Sequence, residues 1–142
     1  MADTSIQALH KVHTATNDVL ARYVTVIDRA QPRMVPVIAD LAALHRVHAA
    51  ALQAHLHTLG HDGQNDTLLR GKVHTVAVTV RDSAAGLEEG TLTSVERGER
   101  ALQGVYDDAI SYLCVAQDRG TTALLEAQYR EIGKKIDRLA AM

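Results

Sequence analysis

The stretch LEAQYREIGKKIDRL, residues 125–139, indicates the fold class because its apolar side chains recur in alternating steps of four and three. The apolar positions are Leu125, Tyr129, Ile132, Ile136 and Leu139. Such steps place these side chains along one side of an α-helix, where they form a seam against neighbouring helices. The stretch therefore predicts a helix of a bundle, which opens at Thr121 or Thr122.

Three more long helices are predicted upstream, over residues 3–30, 35–59 and 91–117. Pro32 separates the first from the second because proline cannot continue the hydrogen-bond ladder of a helix. Gly60 is placed to end the second helix in a left-handed conformation. The predicted inward side chains, helix by helix, are Ile6, Leu9, His13, Leu20, Tyr23, Val24 and Ile27; Val37, Leu41, Leu44, His48, Leu52, His55 and Leu59; and Leu92, Val95, Glu99, Leu102, Tyr106, Ala109, Leu113 and Ala116.

The lengths of the connections predict the architecture. The tight breaks near Pro32 and Gly120 each join two long helices, so each pair should form an antiparallel hairpin. Residues 60–90 join the two hairpins, and we expect a shorter helix over about residues 66–82 within them. The whole chain, residues 1–142, is therefore predicted to be one all-α domain. Its expected fold is a ferritin-like four-helix bundle of two antiparallel hairpins, with an extra short helix in the long crossover.

Composition and charge narrow the choice of partners and compartment. The chain has 142 residues, 46% of them apolar, and a net charge of −2, so it suits one globular domain. Because the chain has no net positive charge to hold phosphates, nucleic acid is not an expected partner. No signal peptide and no apolar run of ~20 residues is recognised, so we expect a cytoplasmic protein with no membrane partner. The single cysteine, Cys114, is expected to be a small buried side chain.

Ionisable side chains on the predicted inward faces are the candidates for a site, because bundles build metal and cofactor sites between facing helices. The candidate metal ligands are His13, His48, Glu96 and Glu99. Imidazole and carboxylate together suit Fe, Mn or Zn. His45 shares a helix face with His48, three residues away, so this pair would present two imidazoles. The alternative interpretation is structural: histidines that cover aliphatic surface, and a Glu99 carboxylate paired with a His or Tyr.

Motifs for other chemistry are absent from the sequence. It has no Glu-x-x-His, which disfavours a conventional di-iron centre. It also has no glycine-rich phosphate loop, no G-x-S-x-G and no H-E-x-x-H. We therefore expect no catalytic residues and no cofactor beyond a metal ion, and a protein that is not an enzyme.

Three short motifs occur in an order that resembles a known family. They are ALQAHLHTLGHDG at 51–63, ERGE at 96–99, and QYREI at 128–132 followed by Asp137 and Arg138. Together they resemble the bacterial ferritin-like family typified by YciF, a domain of unknown function. The resemblance implies a ferritin-like bundle, often dimeric, in proteins linked to bacterial stress responses without an established reaction. The chain departs from that family at Ile136, where the family has a histidine.

Two main functions follow from these features. In the first, the protein is a non-enzymatic, stress-associated bundle that works as a homodimer or through a protein partner of unknown identity. In the second, it is a metal-binding or redox bundle that uses the inward His and Glu side chains. A third, a histidine-based pH sensor, rests only on the eight histidines, which titrate near neutral pH.

Overall fold

Four long α-helices make up most of the computed structural model, which describes residues 2–60 and 91–142. They are α1 (Ala2–Val26), α2 (Val35–Thr58), α3 (Leu92–Ala116) and α4 (Arg119–Ala140). Two 3-10 turns, Ile27–Arg29 and Pro32–Met34, join α1 to α2. These residues contain no strand, which confirms the all-α class. The short helix expected over about residues 66–82 lies outside the described residues.

The ends of the helices are fixed by particular residues. α3 begins with a reciprocal capping box, in which Ser94 N donates to Thr91 Oγ1 at 3.2 Å and Thr91 N donates to Ser94 Oγ at 3.1 Å. It ends at Gln117, whose φ is 61°. The expected start of α4 at Thr121 or Thr122 is wrong, because Asp118 caps the helix by accepting from the Thr121 amide at 3.1 Å. Gly60 takes the expected left-handed conformation, with φ 87°.

Side-chain hydrogen bonds between helices show in which direction each one runs. The start of α1 bonds to the turn that follows α3, and the end of α1 bonds to the start of α3, so these helices are antiparallel. α2 and α4 are antiparallel by the same reasoning. The bonded pairs are Ser5 with Asp118, Tyr23 with Glu99, Asp40 with Lys135, and His55 with Thr121. α1 packs closely against both α2 and α3, and α3 against α4. Consequently α2 and α3 run in the same direction, and the end of α2 and the start of α3 lie at opposite ends of the bundle.

The apolar side chains of the core are aliphatic or Met, apart from two buried tyrosines, Tyr23 and Tyr106. The predicted inward face of α3 is confirmed from Val95 to Leu113. The predicted face of α1 is partly wrong, because Val24 is 54% exposed. The buried face of α1 is wide and is centred on small residues, which allow close approach of the neighbouring helices. The buried side chains of α1 are Ser5, Ala8, Leu9, Val12, Ala15, Thr16, Val19, Tyr23 and Val26.

α2 is apolar on its outer surface as well as its inner one. Val35 and Val47 are 37% and 66% exposed, and Asp40 and Arg46 are its only Asp, Glu, Lys or Arg residues. By length and composition the stretch Pro32–Thr58 could cross a membrane, although core helices of soluble proteins pass the same test. On α3, Cys114 is exposed, so the expectation of a buried thiol is wrong. Cys114 follows the inward-facing Leu113, and the next residue of a helix points about 100° away.

Candidate functional site

A buried carboxylate lies at the centre of the candidate site. Glu99 of α3 has no exposed surface, and its Oε2 accepts two hydrogen bonds from other helices. Tyr23 Oη of α1 donates at 2.5 Å, and His45 Nε2 of α2 lies at 2.8 Å. The rings of Tyr23 and His45 are stacked, with centroids 6.0 Å apart. An ionised carboxylate accepts both bonds, so each partner offsets part of the cost of burying the charge.

The electrostatics of this group favour a protonated tyrosine. Burial raises the pKa of Tyr23 well above its ordinary value of 10.0, and the charge and hydrogen bond of Glu99 raise this pKa further. The phenol therefore donates a hydrogen bond and does not ionise near neutral pH. Tyr23, His45 and Glu99 are called the Tyr–His–Glu cluster below.

The polar layer continues from the Tyr–His–Glu cluster towards the surface. The rings of His45 and His48 have centroids 6.2 Å apart, and His48 Nε2 bonds to Glu131 Oε2 of α4 at 3.3 Å. Glu131 is 53% exposed. Burial lowers the pKa of His48, whereas the hydrogen bond to Glu131 acts in the opposite direction. A row of titratable side chains thus runs from the core to the seam between α2 and α4.

Two uncharged side chains complete the layer. Tyr106 Oη of α3 donates to Gln128 Oε1 of α4 at 2.6 Å, and Gln128 Nε2 donates to the His48 carbonyl at 3.3 Å. Burial raises the pKa of Tyr106 above its ordinary value. All four described helices therefore contribute side chains to one buried polar layer in the middle of the bundle.

Three buried polar atoms of this layer have no hydrogen-bond partner among the described residues. They are Glu99 Oε1, His45 Nδ1 and His48 Nδ1. Buried polar groups in folded proteins are nearly always satisfied, by protein atoms, by water or by a ligand. Three such atoms on neighbouring side chains therefore mark the layer as a candidate binding site.

A second polar network closes the other end of the bundle. Asp118 accepts hydrogen bonds from Ser5 and from Thr121 Oγ1, the latter at 2.8 Å, and His55 Nε2 lies 2.9 Å from the same Thr121 oxygen. Burial would raise the pKa of Asp118, but the bonds from Ser5 and Thr121 and the nearby His55 lower it overall. This network joins α1, α2 and the α3–α4 turn. Its donors and acceptors bond to one another, which suits a structural role.

The four candidate ligands predicted from sequence are placed in three different environments. Glu99 and His48 both lie in the buried layer. His13 is partly buried and accepts a hydrogen bond from Asn17 Nδ2 at 3.2 Å. Its pKa is lowered mainly by burial and to a lesser extent by the nearby His10. Glu96 pairs with Arg100, one turn along α3, at 2.8 Å.

The structural alternative, a Glu99 carboxylate paired with a His or a Tyr, is confirmed, although the sequence analysis did not name Tyr23 and His45 as the partners. The signals were present, because Tyr23 lay on the predicted inward face and His45 lies three residues before His48. Within residues 2–60 and 91–142, no group of three or more His, Cys, Asp or Glu side chains is placed to hold a metal ion. The Tyr–His–Glu cluster brings together two side chains of those types and a phenol.

Comparison with known proteins gives one match. A family model described as "Domain of unknown function (DUF2383)" matches residues 4–112, a range that begins in α1 and ends in α3. No curated protein and no solved structure matches the chain significantly.

Proposed function

We propose that this chain, which belongs to the DUF2383 family of unknown function, is a ferritin-like bundle that works by associating with a second copy of itself. We propose no catalytic role for it. The observation that carries the proposal is the apolar outer face of α2. A soluble monomer rarely leaves a large continuous apolar patch in water, and such patches mark interaction sites.

The outer face of α2 is self-complementary in its spacing. Ala43 lies at its centre, with Ala39 and Val47 four residues to either side, and Pro36 and Ala50 seven residues to either side. All five residues are exposed. In an antiparallel pair related by a two-fold axis near Ala43, Ala39 of one copy would face Val47 of the other. Small side chains allow two helix backbones to approach closely, and a two-fold axis uses the same patch twice.

The helix directions support the ferritin-like part of the proposal. Because α2 and α3 run in the same direction, the end of α2 and the start of α3 lie at opposite ends of the bundle. One long crossover between two hairpins is the connectivity of ferritin-like bundles. The resemblance to the YciF-type family extends the proposal to a cytoplasmic role in bacterial stress responses. Induction of the protein under osmotic or oxidative stress tests that part.

Sedimentation velocity of the untagged chain, from low to high micromolar concentration, tests the association. We expect a dimer of the wild type and a monomer of Ala43→Arg, because a guanidinium at the centre of the face blocks close approach. Ser111→Arg is the matched control, since Ser111 is exposed on α3, away from α2. A wild type that stays monomeric at high micromolar concentration would contradict the proposal. Binding of that monomer to phospholipid vesicles, lost in Ala43→Arg, would assign the face to a membrane surface instead.

We propose metal binding as a second function, because the unpartnered atoms Glu99 Oε1, His45 Nδ1 and His48 Nδ1 favour a ligand inside the bundle. Fe, Mn and Zn are the candidate ions, since imidazole and carboxylate suit all three. Elemental analysis of protein purified without a His-tag tests this function. Less than one ion for every ten chains, after incubation with each metal in turn, would exclude it.

A further inference from the structure

We propose that the Tyr–His–Glu cluster binds a single ferric ion, with the Tyr23 phenolate, the His45 imidazole and the Glu99 carboxylate as its protein ligands. This inference rests on the metal-binding function proposed above and gives it an ion and a ligand set. This ligand set differs from the one expected from sequence, because His13 and Glu96 lie elsewhere in the structure.

Donor atoms from three helices converge in the cluster. Tyr23 Oη and His45 Nε2 lie 2.5 and 2.8 Å from Glu99 Oε2. Two ligands that each lie about 2.0–2.2 Å from one metal ion are themselves roughly 2.8–3.4 Å apart. The separation between Tyr23 and Glu99 is shorter than this range, so the side chains of α1, α2 and α3 would move apart by a few tenths of an ångström to admit a common ion. The second carboxylate oxygen, Glu99 Oε1, has no partner and remains available for coordination.

The chemistry of the ligand atoms favours ferric iron. Glu99 is fully buried, where an isolated carboxylate charge is costly, so a bound cation would offset part of that cost. Ferric binding forms three coordinate bonds and releases the phenolic proton of Tyr23 to solvent. The resulting phenolate and carboxylate oxygens are hard ligands, which suit ferric iron better than they suit soft ions.

The polar layer also reaches the surface. Glu131, half exposed at the seam between α2 and α4, bonds to His48, and the His48 ring lies next to the His45 ring. α2 and α4 pack less closely than the other neighbouring helices. A row of polar side chains therefore connects the cluster to a half-exposed carboxylate at this seam.

The test is to incubate the untagged chain with a ferric chelate, desalt it, and measure bound iron and visible absorption. We expect one iron per chain and a phenolate-to-iron charge-transfer band, which gives ferric tyrosinate proteins a red to purple colour. Tyr23→Phe should lose the band and bind at least tenfold less iron. Tyr106→Phe is the matched control, because Tyr106 is also buried but bonds to Gln128, and it should keep both band and iron.

The remaining outcomes distinguish a failure of the Tyr–His–Glu site from a failure of the proposed metal-binding function. Iron bound without the band, or a band that persists in Tyr23→Phe, overturns the Tyr–His–Glu site and leaves metal binding in place. No bound iron, manganese or zinc overturns both. Circular dichroism checks that each variant is folded. Glu99→Gln keeps the shape of the side chain and is a second variant that should lose iron.

Discussion

Replacement of Glu99 by leucine is the most informative test of the buried layer. Among the residues that the structure describes, Glu99 is the one acceptor for Tyr23 Oη and for His45 Nε2, and the substitution removes it. Tyr23 and His45 are 1% and 0% exposed. A buried donor left without an acceptor costs about 1–3 kcal/mol. Two such donors would cost about 2–6 kcal/mol, but removal of the buried charge recovers part of this. We therefore expect Glu99→Leu to lower the free energy of unfolding by roughly 2–4 kcal/mol.

Urea denaturation followed by circular dichroism at neutral pH measures this loss, with Glu96→Leu as the control. Glu96 makes a surface pair with Arg100 within one helix, so its loss should cost less than about 0.5 kcal/mol. Adding Tyr23→Phe to Glu99→Leu removes one unsatisfied donor and should restore about 1–2 kcal/mol of the free energy of unfolding. The reasoning would be refuted if the double variant were no more stable than Glu99→Leu alone, since the unsatisfied phenol would then have no measurable cost.

Three further predictions concern the helix ends and one glycine. Thr91→Ala should lower the free energy of unfolding by about 1 kcal/mol in urea denaturation, because it removes half of the capping box. Asp118 has a pKa below its ordinary value of 3.8, so its carboxylate stabilises the fold above that value and the benefit is lost as the pH falls through the folded-state pKa. The melting temperatures of wild type and Asp118→Asn should therefore differ at neutral pH and converge in acid; a constant difference would contradict the assignment. Gly133→Ala should raise the melting temperature slightly, because alanine favours helix by about 1 kcal/mol and the new Cβ would meet only the end of the Gln103 side chain, at 3.2 Å; a lower melting temperature would show that Gln103 cannot move.

The helices were predictable from sequence because steps of four and three describe a single side of a helix that packs on its neighbours. α3 follows this rule along most of its length. α1 does not, because its apolar residues lie on more than one side of the helix, and the predicted stripe omits Val12, Ala15 and Val19, which are buried. A one-dimensional pattern gives the period of a helix, but where apolar residues lie on several sides it does not fix which side is buried. The expected start of α4 failed for a local reason, because Asp118 competes with the threonines as the cap.

The candidate site was predictable only in part. Glu99 and His48 stand out as polar residues at inward positions, and the structure buries both. The partners of Glu99 depend on the relative height and rotation of three helices. An error of one residue rotates a helix position by about 100°, which decides whether Leu44 or His45 faces the core. A Tyr hydroxyl was an expected partner of Glu99, but the sequence pattern does not decide between Tyr23 and Tyr106, which both lie on predicted inward faces.

The buried layer is difficult to explain by stability alone. A buried ionic or polar cluster can often be replaced by apolar side chains of similar volume with little loss, or even with a gain. The triple replacement of Tyr23, His45 and Glu99 by Phe, Leu and Leu leaves none of their three hydrogen-bonding groups unsatisfied, so its free energy of unfolding should lie within about 1 kcal/mol of wild type. The single change Glu99→Leu, by contrast, leaves two donors unsatisfied. A triple variant that is stable but binds no iron would show that a carboxylate at this depth serves a ligand, whereas one that unfolds readily would show that it serves the packing of α1, α2 and α3.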